Sequence, residues 1–465
     1  MMEPATAPPP ARLRLGDVMT TWWPLAASWL LMGLELPLVS AMMARMANPT
    51  VSLAAYGGVV FPLALMIESP IIMLLSASTA LCRDTASYRF VRRFMFWMAS
   101  ALTLFHALVA FTPLFAVVVA GWMGAPAEIL EPARRGLQIM LPWTLSIAYR
   151  RVSQGVLIRF GRPRAVGLGT LVRLSANAAV LAVGFALHTV PGIVVGTLAV
   201  AAGVVSEALF AGAMVRPVLR GALREAPPQT TPLTPESFMR FYLPLAMMPL
   251  ISFVAMPLAS AAMSRMPRPI DSLATWPVIT GLVFTLRSVG FAMNEVVVSQ
   301  LDRPRPVFAL RRFAALLASV TTCVLLVVAA SPLGGLWLGR VSALPPSLVA
   351  LGRTGLWVCF LLPALSVFQS LYQGVIVHSR RTRGVTESVV LLLITMASVL
   401  AAGLASGRVV GLHVALAAMV AGNAAQVGWL WWRSRGEIRT IEAREAASAV
   451  QGVPSPREAN DFGGA

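Results

Sequence analysis

The second half of this sequence repeats the first half. Identical residues recur at a separation of 220 positions over two stretches, 24–54 and 244–274. They are Pro24 and Pro244, Pro37 and Pro257, Ser40 and Ser260, Met43 and Met263, Arg45 and Arg265, and Pro49 and Pro269. Farther along, Gln154 matches Gln373 and Gly203 matches Gly422, both at a separation of 219. A duplication with one residue of drift predicts two halves of similar structure.

Long apolar runs indicate that both halves cross a membrane. Of the 465 residues, 57% are hydrophobic and 12% are charged, whereas soluble domains carry about 25% charged residues. The runs are continuous rather than alternating, which favours helices over barrel strands. The sequence therefore predicts an all-α polytopic membrane protein with about 12 transmembrane helices in two parallel six-helix lobes.

The chain divides into five segments. The predicted spans are 22–43, 52–81, 94–120, 137–158, 165–187 and 192–215 in the first half, and 242–263, 273–300, 313–334, 354–377, 385–405 and 409–432 in the second. The segments are a disordered cytoplasmic N-tail (1–20), an N-lobe (21–216), a cytoplasmic linker (217–240), a C-lobe (241–433) and a cytoplasmic C-tail (434–465).

Arginine placement predicts the orientation in the membrane. All 37 basic residues are arginine, and the net charge is +18. With a cytoplasmic N-terminus, 27 arginines fall inside and 8 outside, as the positive-inside rule requires. We therefore expect a bacterial inner-membrane protein with both termini in the cytoplasm. Because the arginines sit in short loops between spans, we expect membrane lipid and no nucleic acid as a partner.

Ionisable groups within spans are candidate site residues, because burying a charge in a membrane is costly unless the group has a function or a partner. Glu35 precedes Pro37, which can kink the first span, so we expect Glu35, together with Glu68, to bind and release a coupling ion, H⁺ or Na⁺. Under the 220 offset Arg287 falls one position from Glu68. These two groups are predicted either to pair across the centre as a gate or to lock the halves statically.

Four residues are candidates for holding a substrate. Arg173 and Arg287 suit a carboxylate or phosphate, because a guanidinium presents a planar fork of donors. Asn177 lies one turn after Arg173, and Glu295 lies near the cytoplasmic end of its span. Catalytic and zinc motifs are missing, and the three cysteines have no metal spacing. We therefore expect neither an enzyme nor a metal or cofactor site.

The loops resemble those of a transporter superfamily. The stretches Arg83-Asp84, Arg92-Arg93-Phe94 and Gln154-Gly155, with Arg162-Pro-Arg164 after them, resemble cytoplasmic loops of the multidrug/oligosaccharidyl-lipid/polysaccharide exporters, which include the multidrug and toxin extrusion (MATE) transporters. Leu53–Gly57, Ser69-Pro70 and Phe105–Phe111 locally resemble the progressive ankylosis protein family, which implies export of a small organic or phosphate-bearing anion.

The resemblance implies a secondary active transporter that works by alternating access. We expect the substrate to be a small organic anion or an amphipathic compound, and the transporter to be a monomer. Two alternatives stay open. One is a flippase for lipid-linked saccharides, which needs a large basic cavity open to lipid. The other is a membrane scaffold that transports nothing, which apolar packing between the lobes would favour.

Overall fold

Long helices make up almost all of the computed structural model, which describes residues 13–187, 189–229, 232–303, 306–379 and 383–451. The helices of the first half are α1 (Leu15–Met43, bent at Leu34), α2 (Pro49–Leu81), α3 (Thr85–Phe111), α4 (Ala127–Ile139 and Pro142–Arg159), α5 (Arg164–Leu187) and α6 (Gly192–Arg220). Those of the second half are α7 (Pro235–Met263), α8 (Pro269–Gln300), α9 (Pro306–Ala330), α10 (Pro346–His378), α11 (Arg383–Ser406) and α12 (Gly411–Gln451).

Eleven helices of the described residues are long and apolar enough to cross a membrane. The exception is α4, whose second segment carries Arg150, Arg151 and Arg159. With α4 included, twelve helices run back and forth. Helix α1 therefore begins, and α12 ends, at one face, which we name the terminal face. The opposite face, where α2 and α8 begin, is the far face. The chain is a multi-pass membrane protein, as its apolar runs predict.

Helix boundaries differ from the predicted segments at both ends of the chain. The first helix already begins at Leu15, within the segment 1–20 for which we expect disorder. The last helix continues to Gln451, well beyond the predicted end of the C-lobe at 433. Residues 1–12 and 452–465 lie outside the described residues.

The repeat is visible in unusual backbone geometry. Asn48 and Arg268, which are 220 positions apart, both have left-handed backbone conformations, with φ of 54° and 55°. Each begins the second helix of its lobe. The backbone amides of Gly192 and Gly411, which are 219 positions apart, donate hydrogen bonds to the carbonyls of Ala47 and Pro267 at 3.3 and 3.4 Å. Both carbonyls lie in the loop after the first helix of their lobe. The two halves therefore share their loop structure as well as their helices.

A π-helical turn at Tyr56–Val60 in α2 accounts for the one-residue drift. Such a turn accommodates an extra residue within a helix, and α8 has regular α-helix from Pro269 to Phe291. Residues before the turn correspond at 220, and residues after it correspond at 219. Glu68 and Arg287 are therefore direct repeat counterparts, rather than one position apart as the 220 offset predicts.

The first helix of each lobe contacts the other lobe near the terminal face. The indole N–H of Trp22 in α1 donates to the backbone carbonyl of Val289 in α8 at 2.9 Å. The hydroxyl of Tyr242 in α7 donates to the backbone carbonyl of Pro70 in α2. The two donor residues are 220 positions apart and the two acceptor residues are 219 positions apart, so both pairs are repeat counterparts. The first helix of each lobe thus contacts the second helix of the other lobe in the same way.

Arginines join the lobes at the far face. Arg45, at the end of α1, donates to the backbone carbonyl of Arg340 in the C-lobe. Its counterpart Arg265 donates to the carbonyls of Gly121 at 3.0 Å and Met123 at 2.9 Å in the N-lobe. These carbonyls belong to or follow short π-helices that precede α4 and α10. The far face is therefore closed by contacts between the lobes.

At the 220 offset that holds up to the π-turn, Gly57 corresponds to Pro277. The two residues touch one another, since a Cβ atom on Gly57 would lie 2.5 Å from Cγ of Pro277, and we infer that the pseudo-twofold axis passes between them. A Cβ on Gly58 would likewise lie 2.8 Å from a methyl group of Leu273. Glycine is needed at both positions because α2 and α8 approach closely there.

Candidate functional site

The bend in α1 positions Glu35. The helix divides into Leu15–Gly33 and Glu35–Met43, so Glu35 begins the second segment. The carbonyl of Gly33 accepts a hydrogen bond from the Thr285 hydroxyl of α8 at 2.9 Å. The bend is therefore fixed to the C-lobe while the Glu35 side chain points into the N-lobe. Because Glu35 lies in the first turn of a helical segment, the helix dipole also favours a negative charge on its side chain.

Two carboxylates and two guanidiniums form a chain of ion pairs inside the N-lobe. Nη2 of Arg173 in α5 lies 3.0 Å from Oε2 of Glu35. Nε of the same arginine lies 3.7 Å from Oε2 of Glu207 in α6. Glu207 also accepts a hydrogen bond from Nη1 of Arg150 in α4. The chain links three helices of the N-lobe core to the bend of α1.

Two amides complete the coordination of these carboxylates. Nδ2 of Asn177 donates to Oε1 of Glu35 at 2.6 Å, and Nε2 of Gln154 donates to Oε1 of Glu207 at 3.0 Å. Both amide side chains are buried, as is Glu207, whose exposed fraction is 1%. The side chain of Glu35 keeps 16% of its surface exposed. Of the two carboxylates in this chain of ion pairs, Glu35 is therefore the more accessible to water.

Glu68 and Arg151 lie beside this chain of ion pairs. Glu68 in α2 is buried and is within electrostatic reach of Arg150 and Arg151. One of its oxygens, Oε2, has no hydrogen-bond partner among the described residues. We name the whole set the N-lobe charge cluster. It contains three glutamates and three arginines, namely Glu35, Glu68, Glu207, Arg150, Arg151 and Arg173. Its formal charges balance, which is what burial requires.

The C-lobe has no equivalent of this cluster. The repeat counterparts of the charged residues, other than Arg287 opposite Glu68, are neutral. They are Ala255 for Glu35, Gln369 for Arg150, Ser370 for Arg151, Leu392 for Arg173 and Gln426 for Glu207. The two lobes therefore share a backbone but differ in the chemistry of their interiors.

Arg287 is held by neutral partners within the C-lobe. Its Nε donates to the hydroxyl of Ser366 in α10, and its Nη2 donates to Oδ1 of Asn423 in α12 at 2.9 Å. The guanidinium also lies over the ring of Phe291, 5.7 Å from its centroid. Arg287 is half-buried.

The predicted pair between Glu68 and Arg287 is not formed in this structure. Both side chains turn into their own lobes, because Glu68 faces the arginines of α4 while Arg287 faces α10 and α12. Glu35, Arg173 and Asn177 are brought together, although the sequence assigned them to separate ion-coupling and substrate sites. Glu295 is exposed on α8, and among the described residues it is joined to neither group by an ion pair.

The roles of Arg150, Arg151 and Gln154 were not predicted from the sequence. Arginine counting assigns the first two to the loop after the fourth span, but α4 continues to Arg159. Nine residues of helix, about 13 Å, separate Arg150 from that end. The available signal was that both arginines fall inside the predicted span 137–158, where an unpaired charge is costly.

Comparison with known proteins identifies the fold. No family model matches the chain, and no curated protein sequence matches it. A solved inward-facing MATE family multidrug resistance transporter of the MOP superfamily covers 93% of this chain and 99% of its own, with 16% identity and a TM-score of 0.67. An outward-facing MATE family transporter covers 93% and 98%, with 16% identity and a TM-score of 0.56.

The chain has the MATE fold. A MOP superfamily transporter from Pyrococcus furiosus also matches, with 17% identity, a TM-score of 0.55 and coverage of 93% and 97%. The prediction of a MATE-like protein with two six-helix lobes is confirmed. The TM-score is higher for the inward-facing MATE structure than for the outward-facing one.

Proposed function

We propose that the protein is a monomeric secondary active transporter, which moves a small organic anion or an amphipathic compound by alternating access, with Glu35 coupling this movement to protons. The observation that carries the proposal is the position of Glu35. Its carboxylate is bound by the N-lobe, whereas the bend that holds it is bound by the C-lobe. The charge on Glu35 is thereby linked to the relative position of the lobes.

Protonation of Glu35 supplies the coupling step. A charged Glu35 pairs with Arg173 and holds the bend of α1 against the N-lobe. A proton on Glu35 removes that charge, and Arg173 keeps Glu207 as its partner. The attachment of α1 to the N-lobe is then weakened, so the lobes can separate at the bend. Proton binding and lobe movement are coupled because each state of Glu35 favours a different arrangement.

The cluster favours a proton over a sodium ion as the coupling ion. Na⁺ needs several oxygen ligands around a site that no other cation occupies. Glu35 and Glu207 each face a guanidinium within the distances given above. A proton, by contrast, adds to a carboxylate oxygen without a new coordination shell.

The proposal places both termini of the protein in the cytoplasm. Moving Arg150 and Arg151 from the inside count to the interior of α4 leaves 25 arginines against 8. This bias still supports cytoplasmic termini in a bacterial inner membrane, so that the terminal face is the cytoplasmic face.

Proteoliposomes loaded with a pH-sensitive dye test the proposal. Adding members of a panel of organic anions and amphipathic compounds should drive proton movement through the wild-type protein. Glu35→Gln should abolish this movement while labelled solute still exchanges across the membrane. Glu236→Gln is the matched control, because Glu236 is 82% exposed and pairs only with Arg240 on its own helix among the described residues.

Four results would contradict parts of the proposal. Proton movement that persists in Glu35→Gln would exclude Glu35 as the coupling group. Solute movement driven by a sodium gradient instead of a pH gradient would exclude protons. Movement of a lipid-linked saccharide with no soluble solute transported would favour the flippase, and no movement of any compound would favour the scaffold.

A further inference from the structure

A group of three aromatic rings lies beside Arg287, one of them in contact with its guanidinium. Phe291 lies under the guanidinium and contacts two other rings. The centroid of Phe284 is 5.8 Å from it, and that of Trp29 in α1 is 5.5 Å from it in an edge-to-face arrangement. All four side chains are half-buried, so each keeps accessible surface. We name these four residues, with Ser366 and Asn423, the Arg287 cluster.

Among the residues that the structure describes, none supplies a carboxylate to pair with Arg287. A guanidinium has five N–H donors, and the described residues accept from two of them, through Ser366 and Asn423. No acidic side chain of the described residues forms an ion pair with Arg287. A cation within a membrane span that lacks a counter-ion is a strong indication of function. Its remaining donors suit an anion from outside the protein.

The repeat shows that the fold itself does not need this cluster. In the N-lobe the counterparts of Ser366 and Asn423 are Ile147 and Val204, which are 3% and 0% exposed. The same backbone thus packs there with apolar side chains. The counterpart of Arg287 is Glu68, which is buried within electrostatic reach of the α4 residues Arg150 and Arg151. The uncompensated positive charge is therefore specific to the C-lobe.

We propose that the Arg287 cluster binds the anionic group of an amphipathic aromatic solute, with the guanidinium holding the carboxylate or phosphate and the three rings holding the aromatic body. This inference rests on the proposed transport function and names its substrate class. Arginine offers planar, directional donors to such anions. Ligand sites in proteins combine an apolar lining with a few placed polar groups, and this is the composition of the cluster. Because Trp29 lies on α1, the solute would contact both lobes.

Binding of tritiated 2-naphthoate to the purified full-length protein, measured by scintillation proximity, tests the inference. The unlabelled competitors are 2-naphthyl phosphate, acetate and 2-naphthylmethylammonium. The phosphate should compete as the carboxylate does. Acetate lacks the ring and 2-naphthylmethylammonium carries the opposite charge, so each should compete at least tenfold more weakly.

Two substitutions separate the charge from the rings. Arg287→Gln should lower the affinity for 2-naphthoate at least tenfold, which corresponds to about 1.4 kcal/mol, whereas Arg287→Lys should lose less. Phe291→Leu keeps the charge and should reduce the preference for 2-naphthoate over cyclohexanecarboxylate. Arg353→Gln is the matched control, because Arg353 is exposed on α10.

The inference is overturned if the wild-type protein does not bind 2-naphthoate, or if folded Arg287→Gln binds it as the wild type does. If Arg287→Gln does not fold, an unchanged ring preference in Phe291→Leu overturns the inference. Equal competition by the ammonium compound would also overturn it. These failures are distinct from that of the proposed function, which is decided by proton movement in the Glu35 variant.

Discussion

Trp22 and Tyr242, which are 220 positions apart, make the same hydrogen bond from opposite lobes. Each donates from an aromatic side chain on the first helix of its lobe to a backbone carbonyl of the second helix of the other lobe. The acceptors, Val289 and Pro70, are themselves repeat counterparts. Interlobe attachment near the terminal face is therefore double and symmetric, so that each bond contributes to the same arrangement of the lobes.

Removing either hydrogen bond should destabilise the protein modestly. Trp22→Phe and Tyr242→Phe each keep an aromatic ring and remove one donor. A hydrogen bond of this kind contributes about 1 kcal/mol, so each variant should melt a few degrees below the wild type in detergent. The double variant should show the sum. Trp97→Phe is the control, because Trp97 is 72% exposed; an equal loss there would show that the effect comes from changing the ring.

The ion pair between Glu35 and Arg173 should show strong coupling. Arg173→Gln leaves Glu35 without its cation in a largely buried site, which we expect to cost about 3 kcal/mol. Adding Glu35→Gln removes the isolated charge and should restore part of that loss. The coupling free energy from the double-mutant cycle should exceed about 1 kcal/mol, measured by unfolding in mixed micelles.

The control for this cycle is the pair Glu131 and Arg135 on α4. Their side chains are 66% and 59% exposed, and exposed pairs of this spacing contribute only about 0.3–0.5 kcal/mol. Coupling in the buried pair no larger than in this exposed pair would show that Arg173 does not stabilise the charge of Glu35.

Gly155→Ala should disrupt the packing of α4 against α2. A Cβ atom at Gly155 would lie 1.8 Å from the hydroxyl oxygen of Ser78 and 2.6 Å from the carbonyl of Leu75. Since backbone must move to make room, we expect a loss of roughly 1–3 kcal/mol. Gly167→Ala on α5 meets nothing within 4 Å and should be neutral or stabilising. Equal melting temperatures for the two variants would contradict this packing.

Asp84 should make stability depend on acidic pH. Burial raises the pKa of Asp84, but hydrogen bonds from Ser87 and from the linker amide of Gln229 lower it more, to about 2. The folded protein thus holds this proton less tightly than the unfolded chain, whose aspartates have a pKa of about 3.9. The stabilisation is complete above about pH 4 and is lost as the pH falls towards 2.

The melting temperatures of wild type and Asp84→Asn measure this effect. The difference between them should be constant from pH 8 to pH 5 and should shrink between pH 4 and pH 2. Glu236→Gln, at an exposed site, should show little difference throughout. A gap that does not change on acidification would show that the carboxylate charge of Asp84 is not what holds the linker.

Much of the fold could be predicted from hydrophobic patterning, because a membrane leaves helices as the structure for long apolar runs. The 220-residue repeat predicted two similar lobes, and its drift to 219 already placed an insertion between Ala54 and Gln154. It did not indicate that the insertion is the π-turn at Tyr56–Val60. That turn lies in a continuous apolar stretch, where one extra residue does not change the hydrophobic pattern.

The candidate site was only partly predictable, for a different reason. Glu35 and Arg173 stand out as charges within apolar spans, but their pairing depends on how α1 and α5 pack. Arg150 was counted with the loop after the fourth span, although it falls within the predicted span 137–158. Its burial depends on Glu207, a carboxylate 57 positions away, and no local pattern reports such a partner.

The contact between Gly57 and Pro277 has a consequence for the ancestry of the chain. A dimer of two identical six-helix proteins places the same residue on both sides of its twofold axis. Two prolines would overlap there, as the 2.5 Å approach to the missing Cβ of Gly57 shows, and two glycines would leave a gap. The interlocking of proline with glycine requires two different sequences. This packing therefore arose after the duplication, when the two copies could change separately.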